Sequence, residues 1–188
     1  MLDRIIKEAS DAVVAAVQGV DNILDAVTGS VKDQVVTVLK GTGEIGSTTV
    51  ETVASVAAGA IEGVGKVGGS LTQVAEGTIR GVVKGASEVG GSVFEAVRGG
   101  ASGIVKGVAD VGEDVGSAAV SAVQSAIKVA GETGVDTAEA AKAAVGGVLD
   151  AAGDIGGDAA EKVRGALLST AALPRDVIEA AIKGHDKK

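Results

Sequence analysis

The chain has 188 residues and a formal net charge of −8, and its 46% of apolar residues are almost all Val, Ala, Ile and Leu, with Phe94 as the one aromatic side chain. Negative charge and the lack of stacking platforms exclude an ordinary nucleic-acid partner. Because there is no cysteine, disulfides, thiolate zinc sites and cysteine-ligated iron–sulfur clusters are also excluded. We predict no cofactor and no metal.

No targeting segment is expected in this sequence. Acidic residues interrupt residues 1–8, unlike the apolar centre of a secretory signal. Uncharged stretches such as 115–127 fall short of the ~18 residues expected of a spanning helix. We therefore predict a cytoplasmic protein, with a peripheral position at a membrane as an alternative.

Residues 1–15 are predicted to form a short amphipathic helix. Its apolar residues recur at helical spacing and include Leu2, Ile5, Ala9 and Val13. The helix leads into the repeats without a segment that resembles a linker.

Residues 16–169 consist of seven copies of a 22-residue repeat, and the last six, which begin at 38, 60, 82, 104, 126 and 148, align without a gap. Such a fixed period indicates one structural unit copied in register. Twenty-two residues in six turns correspond to about 3.67 residues per turn, the helical period of an 11-residue repeat. In a helix wound at that pitch, positions 1, 5, 8, 12, 16 and 19 of each copy form one apolar face. In the central copies this apolar ridge comprises Val82, Val89, Val93, Val97, Ile104, Val108, Val111 and Val115.

Strand and disorder are the alternatives to a helix. Val and Thr are frequent, and Gly-rich repeats also build β-solenoids, but the charges return at spacings of three and four rather than two. Disordered chains are short of apolar residues, whereas the mean hydropathy here is +0.37. We predict an all-α protein of long Gly-rich amphipathic helices with 22-residue repeats, assembled into an oligomeric helical bundle or tube.

Glycine recurs at fixed positions although each helical glycine costs about 1 kcal/mol relative to alanine. Position 9 is glycine in all six regular copies, position 4 in four, and a glycine often precedes position 1. Small residues four apart let two helix backbones approach closely. The predicted helix-packing residues are Gly41, Gly46, Gly59, Gly63, Gly68, Gly81, Gly85, Gly90, Gly103, Gly107, Gly112, Gly134 and Gly156.

Two chain paths remain open for the repeats. No proline interrupts residues 16–169, so one continuous rod is possible. The pairs of adjacent glycines could instead mark kinks or reversals into antiparallel hairpins. These pairs are Gly68-Gly69, Gly90-Gly91, Gly99-Gly100, Gly146-Gly147 and Gly156-Gly157.

Residues 170–188 depart from the repeat. Pro174 fits the first position of a short helix over Arg175–Lys183 that Gly184 closes. The remainder, with His185, is expected to be a solvated, charged end. We treat 170–188 as a cap or docking element.

The residues with chemical potential form no catalytic set. The G-x-G-x-x-G matches at 41–46 and 63–68 are 22 residues apart, which leaves no room for the strand and helix of a dinucleotide site. The recurring carboxylates, among them Glu88 and Asp110, are expected to form a solvated stripe with the lysines. His185 is expected to be an ordinary solvated histidine, and Phe94 to pack locally. We predict that the protein is not an enzyme.

Two resemblances suggest what such a chain could do. Segments 82–89 (VVKGASEV) and 104–111 (IVKGVADV) resemble the 11-residue lipid-surface repeats of synucleins, perilipins and late-embryogenesis proteins. In its composition and helical architecture the chain is also similar to the scaffold subunit of mycobacterial Huc-type hydrogenases. That resemblance implies an oligomeric helical stalk with a hydrophobic interior that carries quinone between membrane and enzyme.

We therefore predict a non-enzymatic, self-assembling helical scaffold with an apolar core or lumen. Its partner is the chain itself, and lipid, quinone or a partner complex tethered to a membrane are further candidates. Two alternatives stay open. One is an amphipathic-helix protein that coats a lipid surface, and the other is a stress-protective chain that is disordered in solution.

Overall fold

The computed structural model describes residues 2–18, 22–42 and 47–187, and in these ranges the protein is helical with no strand. The prediction of an all-α helical-repeat fold is confirmed. The helices of the described residues are α1 Leu2–Val17, α2 Ile23–Thr42, α3 Ser47–Gly65, α4 Leu71–Glu88, α5 Val93–Asp110, α6 Val115–Thr133, α7 Thr137–Ile155, α8 Gly157–Ser169 and α9 Arg175–His185.

The helices follow the 22-residue period but start in the middle of the predicted copies. α5 begins at position 12 of one copy and ends at position 7 of the next. Positions 8 to 11 form the turns between helices, as in residues 89–92 and 111–114. The boundary predicted between residues 15 and 16 lies inside α1.

The chain is folded into hairpins whose helices lie in two layers. α1, α3, α5, α7 and α9 pack side by side in one layer, here called the odd layer. α2, α4, α6 and α8 form the even layer, and consecutive helices contact each other across the two layers. Of the two chain paths left open by the sequence, the structure adopts the hairpins.

Valine, alanine and isoleucine side chains fill the space between the layers. Ile79 of the even layer and Ile104 of the odd layer are both fully buried. One continuous cluster of buried apolar residues extends from Ala9 to Ile182. The predicted apolar core is therefore a packed interior, and its small side chains allow the two layers to lie close together.

A left-handed glycine followed by a capping residue ends one helix and starts the next. Gly90 has φ +69°, and the amide of Gly91 donates to Ala86 O over 2.9 Å. Two residues after Gly90, Ser92 Oγ accepts from the amide of Glu95 at 3.3 Å and caps α5. Asp114 caps α6 in the same way, two residues after Gly112. These two turns thus satisfy backbone groups that the helix ends leave free.

The position-9 glycines therefore lie in turns, which corrects their assignment to helix packing. They have positive φ, and a Cβ atom added to any of them would meet no other atom within 4 Å. A left-handed residue ends a helix and cannot contribute to a groove along it. The corrected residues are Gly68, Gly90, Gly112, Gly134 and Gly156; Gly46 lies outside the described residues.

The carboxyl-terminal segment is more ordered than the sequence indicated. α9 continues through Gly184 to His185, because the Asp186 amide still donates to Ile182 O at 3.0 Å. Asp186 in turn pairs with Arg164 of α8. The expectation of a solvated end is wrong for His185, whose side chain is 25% exposed, whereas the Asp186 side chain remains exposed.

Candidate functional site

Stripes of glycine hold α3, α4 and α5 each against the helix two places earlier in the chain. We call these contacts the seams. Gly59 and Gly63 of α3 face α1, while glycines of α4 face α2 and glycines of α5 face α3. The α4 stripe is Gly77, Gly81 and Gly85, and the α5 stripe is Gly99, Gly103 and Gly107.

Backbone meets backbone at the seams. A Cβ atom on Gly81 would lie 2.8 Å from Thr28 O and 2.8 Å from the Cβ of Val31. On Gly107 it would lie 2.8 Å from Ala58 O. Cβ atoms in proteins essentially never come within 3.0 Å of such atoms, so a side chain larger than hydrogen would force the two helices apart.

The seam contacts also give the direction of the helices. Gly77, Gly81 and Gly85 meet residues of α2 that advance in the same order, from Leu24 to Lys32. Neighbouring helices of one layer are therefore parallel. The ends of α3, α5 and α7 consequently lie at the same edge of the molecule, beside the starts of α4, α6 and α8.

The predicted packing glycines are divided among three environments. Gly59, Gly63, Gly81, Gly85, Gly103 and Gly107 lie in seams, the five position-9 glycines that the structure describes lie in turns, and Gly41 has no atom within 4 Å of an added Cβ. Sequence reasoning missed the seam residues Gly77 and Gly99. Both stand four residues before a predicted glycine, so the small-x-x-x-small spacing could have identified them.

The predicted apolar ridge is buried where it is helical. Val82, Val97, Ile104 and Val108 are at most 1% exposed and Val115 is 9% exposed, while Val93 is half-buried. The assignment of Val89 and Val111 to the ridge is corrected, because both residues lie at helix ends where the chain turns. Val111 is 42% exposed and belongs to the surface of the turns.

Ion pairs connect parallel neighbours at the outer face of each layer. In the even layer, Lys128 Nζ lies 2.8 Å from Glu76 Oε1, and Arg80 Nη1 lies 2.6 Å from Glu132 Oε2. In the odd layer, Lys106 Nζ lies 2.9 Å from Asp154 Oδ2. The predicted stripe of charges therefore contains specific contacts between helices.

Asp150 connects three helices of the odd layer. Its carboxylate accepts from Arg98 Nε of α5 at 2.9 Å and lies 2.9 Å from His185 Nε2 of α9. Burial opposes ionisation, but the hydrogen bonds with His185 and Arg98 outweigh it and keep the pKa of Asp150 below its ordinary value. His185, expected to be solvated, has a side chain that is 25% exposed and holds α9 against α7.

Two adjoining grooves lie at the edge where α3, α5 and α7 end, which we call the turn edge. The first is a small apolar groove of about 90 Å³ between the ends of α3 and α5 and the start of α4. Its lining includes Val64, Leu71, Val108 and Val111, with Glu113 as the acidic member. The second groove, of about 540 Å³, lies between the turns at 111–114 and 156.

The turn edge carries unbalanced negative charge. Glu113, Asp114 and Asp158 line the second groove with Lys162 as the one cation among its lining residues. Nearby on α3, burial and then the Asp110 carboxylate raise the pKa of Glu62 above its ordinary value, with Lys66 acting in the opposite direction. Burial is the larger of the two causes, and Lys66 does not fully offset burial and the Asp110 carboxylate together.

The remaining candidate features carry no recognisable chemistry. Residues 63–68, one of the G-x-G-x-x-G matches, end α3 and form the following turn, whereas a dinucleotide motif begins a helix. Phe94 lies in the first turn of α5 and is 38% exposed. In the parts of the chain that the structure describes, no group of His, Cys, Asp or Glu could hold a metal ion. None of the described helices is long and apolar enough to span a membrane.

The layered hairpins and the seams define a helical repeat protein. In agreement, the structure is similar to the crystal structure of the de novo designed helical repeat protein DHR7, with a TM-score of 0.53 and 19% sequence identity over 99% of this chain and 97% of that chain. At this identity the similarity concerns the fold alone. No protein-family model matches the chain, and no curated protein matches it.

Proposed function

We propose that the protein is a non-enzymatic scaffold that presents a stiff helical-repeat surface to a partner protein. The observation that carries the proposal is the double connection between neighbours of a layer. α2 and α4 touch along the glycine seam and are also joined by an ion pair, in which Lys32 Nζ lies 2.8 Å from Glu88 Oε2. In a repeat protein each unit contacts its neighbours, so these connections determine how well the surface keeps its shape.

Stiffness matters for a binding surface because ordering a flexible one on association costs free energy. At Gly103 an added Cβ atom would lie 2.6 Å from the Cβ of Ala57, so α5 has no space to roll against α3. Surface residues at the turns are consequently held at fixed separations before a partner arrives.

Lipid or quinone cargo, and tethering of a partner complex to a membrane, stay predictions. The ridge residues Val82 and Ile104 are fully buried in the chain's own core, so a form that coats lipid would have to open the fold. The apolar groove at the turn edge, at about 90 Å³, is smaller than the ~150 Å³ cavity that holds benzene in another protein. Both features favour a protein partner.

Self-association also stays a prediction. The seams that would have joined separate chains are filled within one chain, so an oligomer needs a different surface. Light scattering of the pure protein with and without anionic vesicles measures this directly. A multiple of 18.1 kDa that vesicles leave unchanged would support the self-assembling form. A mass of 18.1 kDa would contradict it, and binding to vesicles would support the lipid-coating alternative.

Photo-cross-linking in the cells of origin tests the scaffold proposal. We expect the wild-type chain and the Gly165→Ala variant to cross-link to the same partner protein, because Gly165 has open space around it. The Gly103→Leu variant, whose seam is forced open, should lose that partner. If the wild-type chain and the Gly103→Leu variant cross-link to the same proteins, or if the wild-type chain cross-links to none, the scaffold function is wrong.

A further inference from the structure

We propose that the turn edge binds an extended cationic peptide segment that carries one aliphatic anchor side chain. The inference rests on the scaffold function above and specifies the chemistry of its partner. The proposal rests on two features of the turn edge. One is the small apolar groove, and the other is the set of carboxylates beside it that have no ion-pair partner in the described part of the chain.

The first groove suits a single aliphatic side chain. Its lining is formed by Ile61, Val64, Leu71, Val74, Val108 and Val111. Its volume of about 90 Å³ limits the occupant to a small apolar group. Placing one leucine or isoleucine side chain there removes apolar surface from water and anchors a short segment.

The second groove favours positive charge. The carboxylates of Glu113 and Asp158 have no cation within 4.0 Å among the described residues, and both residues are exposed. Asp114 stays ionised because the Ser117 hydroxyl and amide hold its pKa below the ordinary value. Of the nearby lysines, Lys106 pairs with Asp154 and Lys66 donates to Ser10 Oγ at 3.0 Å, which leaves Lys162 as the one cation among the residues that line this groove.

The two grooves form one path along the edge. Glu113 lines both of them, and Val111 of the first groove precedes Gly112 of the second. Ile155, 42% exposed, continues the apolar floor of the second groove. A segment with its anchor in the first groove would place the following residues over the carboxylates, so lysine or arginine should follow the anchor.

Fluorescence anisotropy with short labelled peptides tests this proposal. The probe is Leu-Lys-Ser-Arg-Lys with an amino-terminal fluorescein and an amidated carboxyl end. Ser-Lys-Ser-Arg-Lys lacks the anchor, and Leu-Glu-Ser-Glu-Glu reverses the charge. We expect the probe to bind the intact protein at least about tenfold more tightly than either control peptide, a difference of about 1.4 kcal/mol.

Protein variants separate the two features. Glu113→Gln with Asp158→Asn should weaken binding of the probe about tenfold or more. Glu51→Gln with Asp33→Asn makes the same change of net charge on exposed residues of α3 and α2, away from the turn edge, and should change affinity less than about twofold. Val111→Ser should reduce the affinity for the probe toward that for the anchor-free peptide.

Urea unfolding of each variant checks that the fold is intact, so that a loss of affinity for the probe can be assigned to the altered surface. The proposal is overturned if the probe shows no binding at sub-millimolar concentration or if the anchor-free peptide binds equally well. It is also overturned if the two double variants weaken binding of the probe to the same extent. A partner cross-linked at another surface, with no binding of the probe, would contradict this inference and leave the scaffold function in place.

Discussion

Glycine performs two separate tasks in this chain, and the residues around each one decide which. In the seams, glycine is needed because a neighbouring backbone occupies the space of a Cβ atom, as at Gly103 beside Ala54 O. In the turns, the surroundings are open and the left-handed backbone is the constraint, as at Gly112 with φ +77°. The two kinds therefore respond differently to substitution by alanine.

Alanine in a seam should destabilise the fold although alanine is the better helix former. For Gly103→Ala we expect a loss of about 1–3 kcal/mol, the usual range for overpacking a close contact. The matched control is Gly165→Ala in α8, where nothing lies within 4 Å of the new Cβ, and it should gain up to about 1 kcal/mol. Urea unfolding measures the free energy of unfolding of both variants. An increase for Gly103→Ala would contradict close backbone contact at this seam.

Substitution in a turn should depend on backbone conformation alone. Gly112→Ala is expected to cost about 1–2 kcal/mol, because an L-residue is strained in the left-handed region. Gly112→Asn should cost clearly less, since asparagine tolerates that conformation. Equal losses for the two variants, measured by thermal or urea unfolding, would show that the turn does not impose a left-handed residue at this position.

At the scale of the elements, ion pairs complement the seams on the outer faces. Glu76 of α4 is the most enclosed of these carboxylates, with a side chain 14% exposed between Arg80 and Lys128. Burial favours its neutral form, but hydrogen bonds from Lys128 and Arg80 outweigh burial and lower its pKa from the ordinary 4.5. The ionised form is therefore stabilised by folding.

Glu76→Gln should destabilise the protein by about 1–3 kcal/mol at neutral pH, the range for hydrogen bonds to charged groups. Since the folded-state pKa is below the unfolded one, this contribution is complete above about pH 5 and is lost as pH falls through the folded-state value. The stability difference between wild type and variant should thus shrink below pH 4.5. A difference that stays constant in acid would contradict the role given to this carboxylate.

The sequence predicted the helices well and the partners of each helix poorly. The 22-residue period and the apolar face identified helical repeats, because both are local properties of the chain. Ion pairs such as Glu76–Lys128 and Arg98–Asp150 join residues 52 apart. These contacts depend on which helices become neighbours, which follows from the turns.

The turns themselves left a recognisable signal that helix periodicity obscured. Position 9 is glycine and position 11 is Ser, Thr or Asp in all six regular copies, as in Gly90 with Ser92 and Gly112 with Asp114. A left-handed glycine followed by an N-cap residue is the chemistry of a helix–helix connection. Because seam and turn glycines return with the same period, spacing alone could not separate them.

In the molecule as a whole, each helix from α3 onward packs on the helix two places earlier in the same chain. This arrangement keeps the apolar ridge inside and leaves the turn edge as the surface for a partner. It also explains how a chain with 30 glycines and one aromatic residue can form a packed core, since close backbone contact compensates for the missing large side chains.

A disulfide between α6 and α8 tests whether a helix packs on the helix two places earlier in the same chain. Because the sequence has no cysteine, the two introduced residues would be its only thiols. A Cβ atom on Gly116 would lie 3.3 Å from the Cβ of Ala166, close to the ~3.5–4.5 Å span of a disulfide. After mild oxidation of the Gly116→Cys, Ala166→Cys double variant, we predict a monomer on non-reducing gels that migrates faster than its reduced form. Disulfide-linked dimers and higher species in place of that monomer would contradict the account.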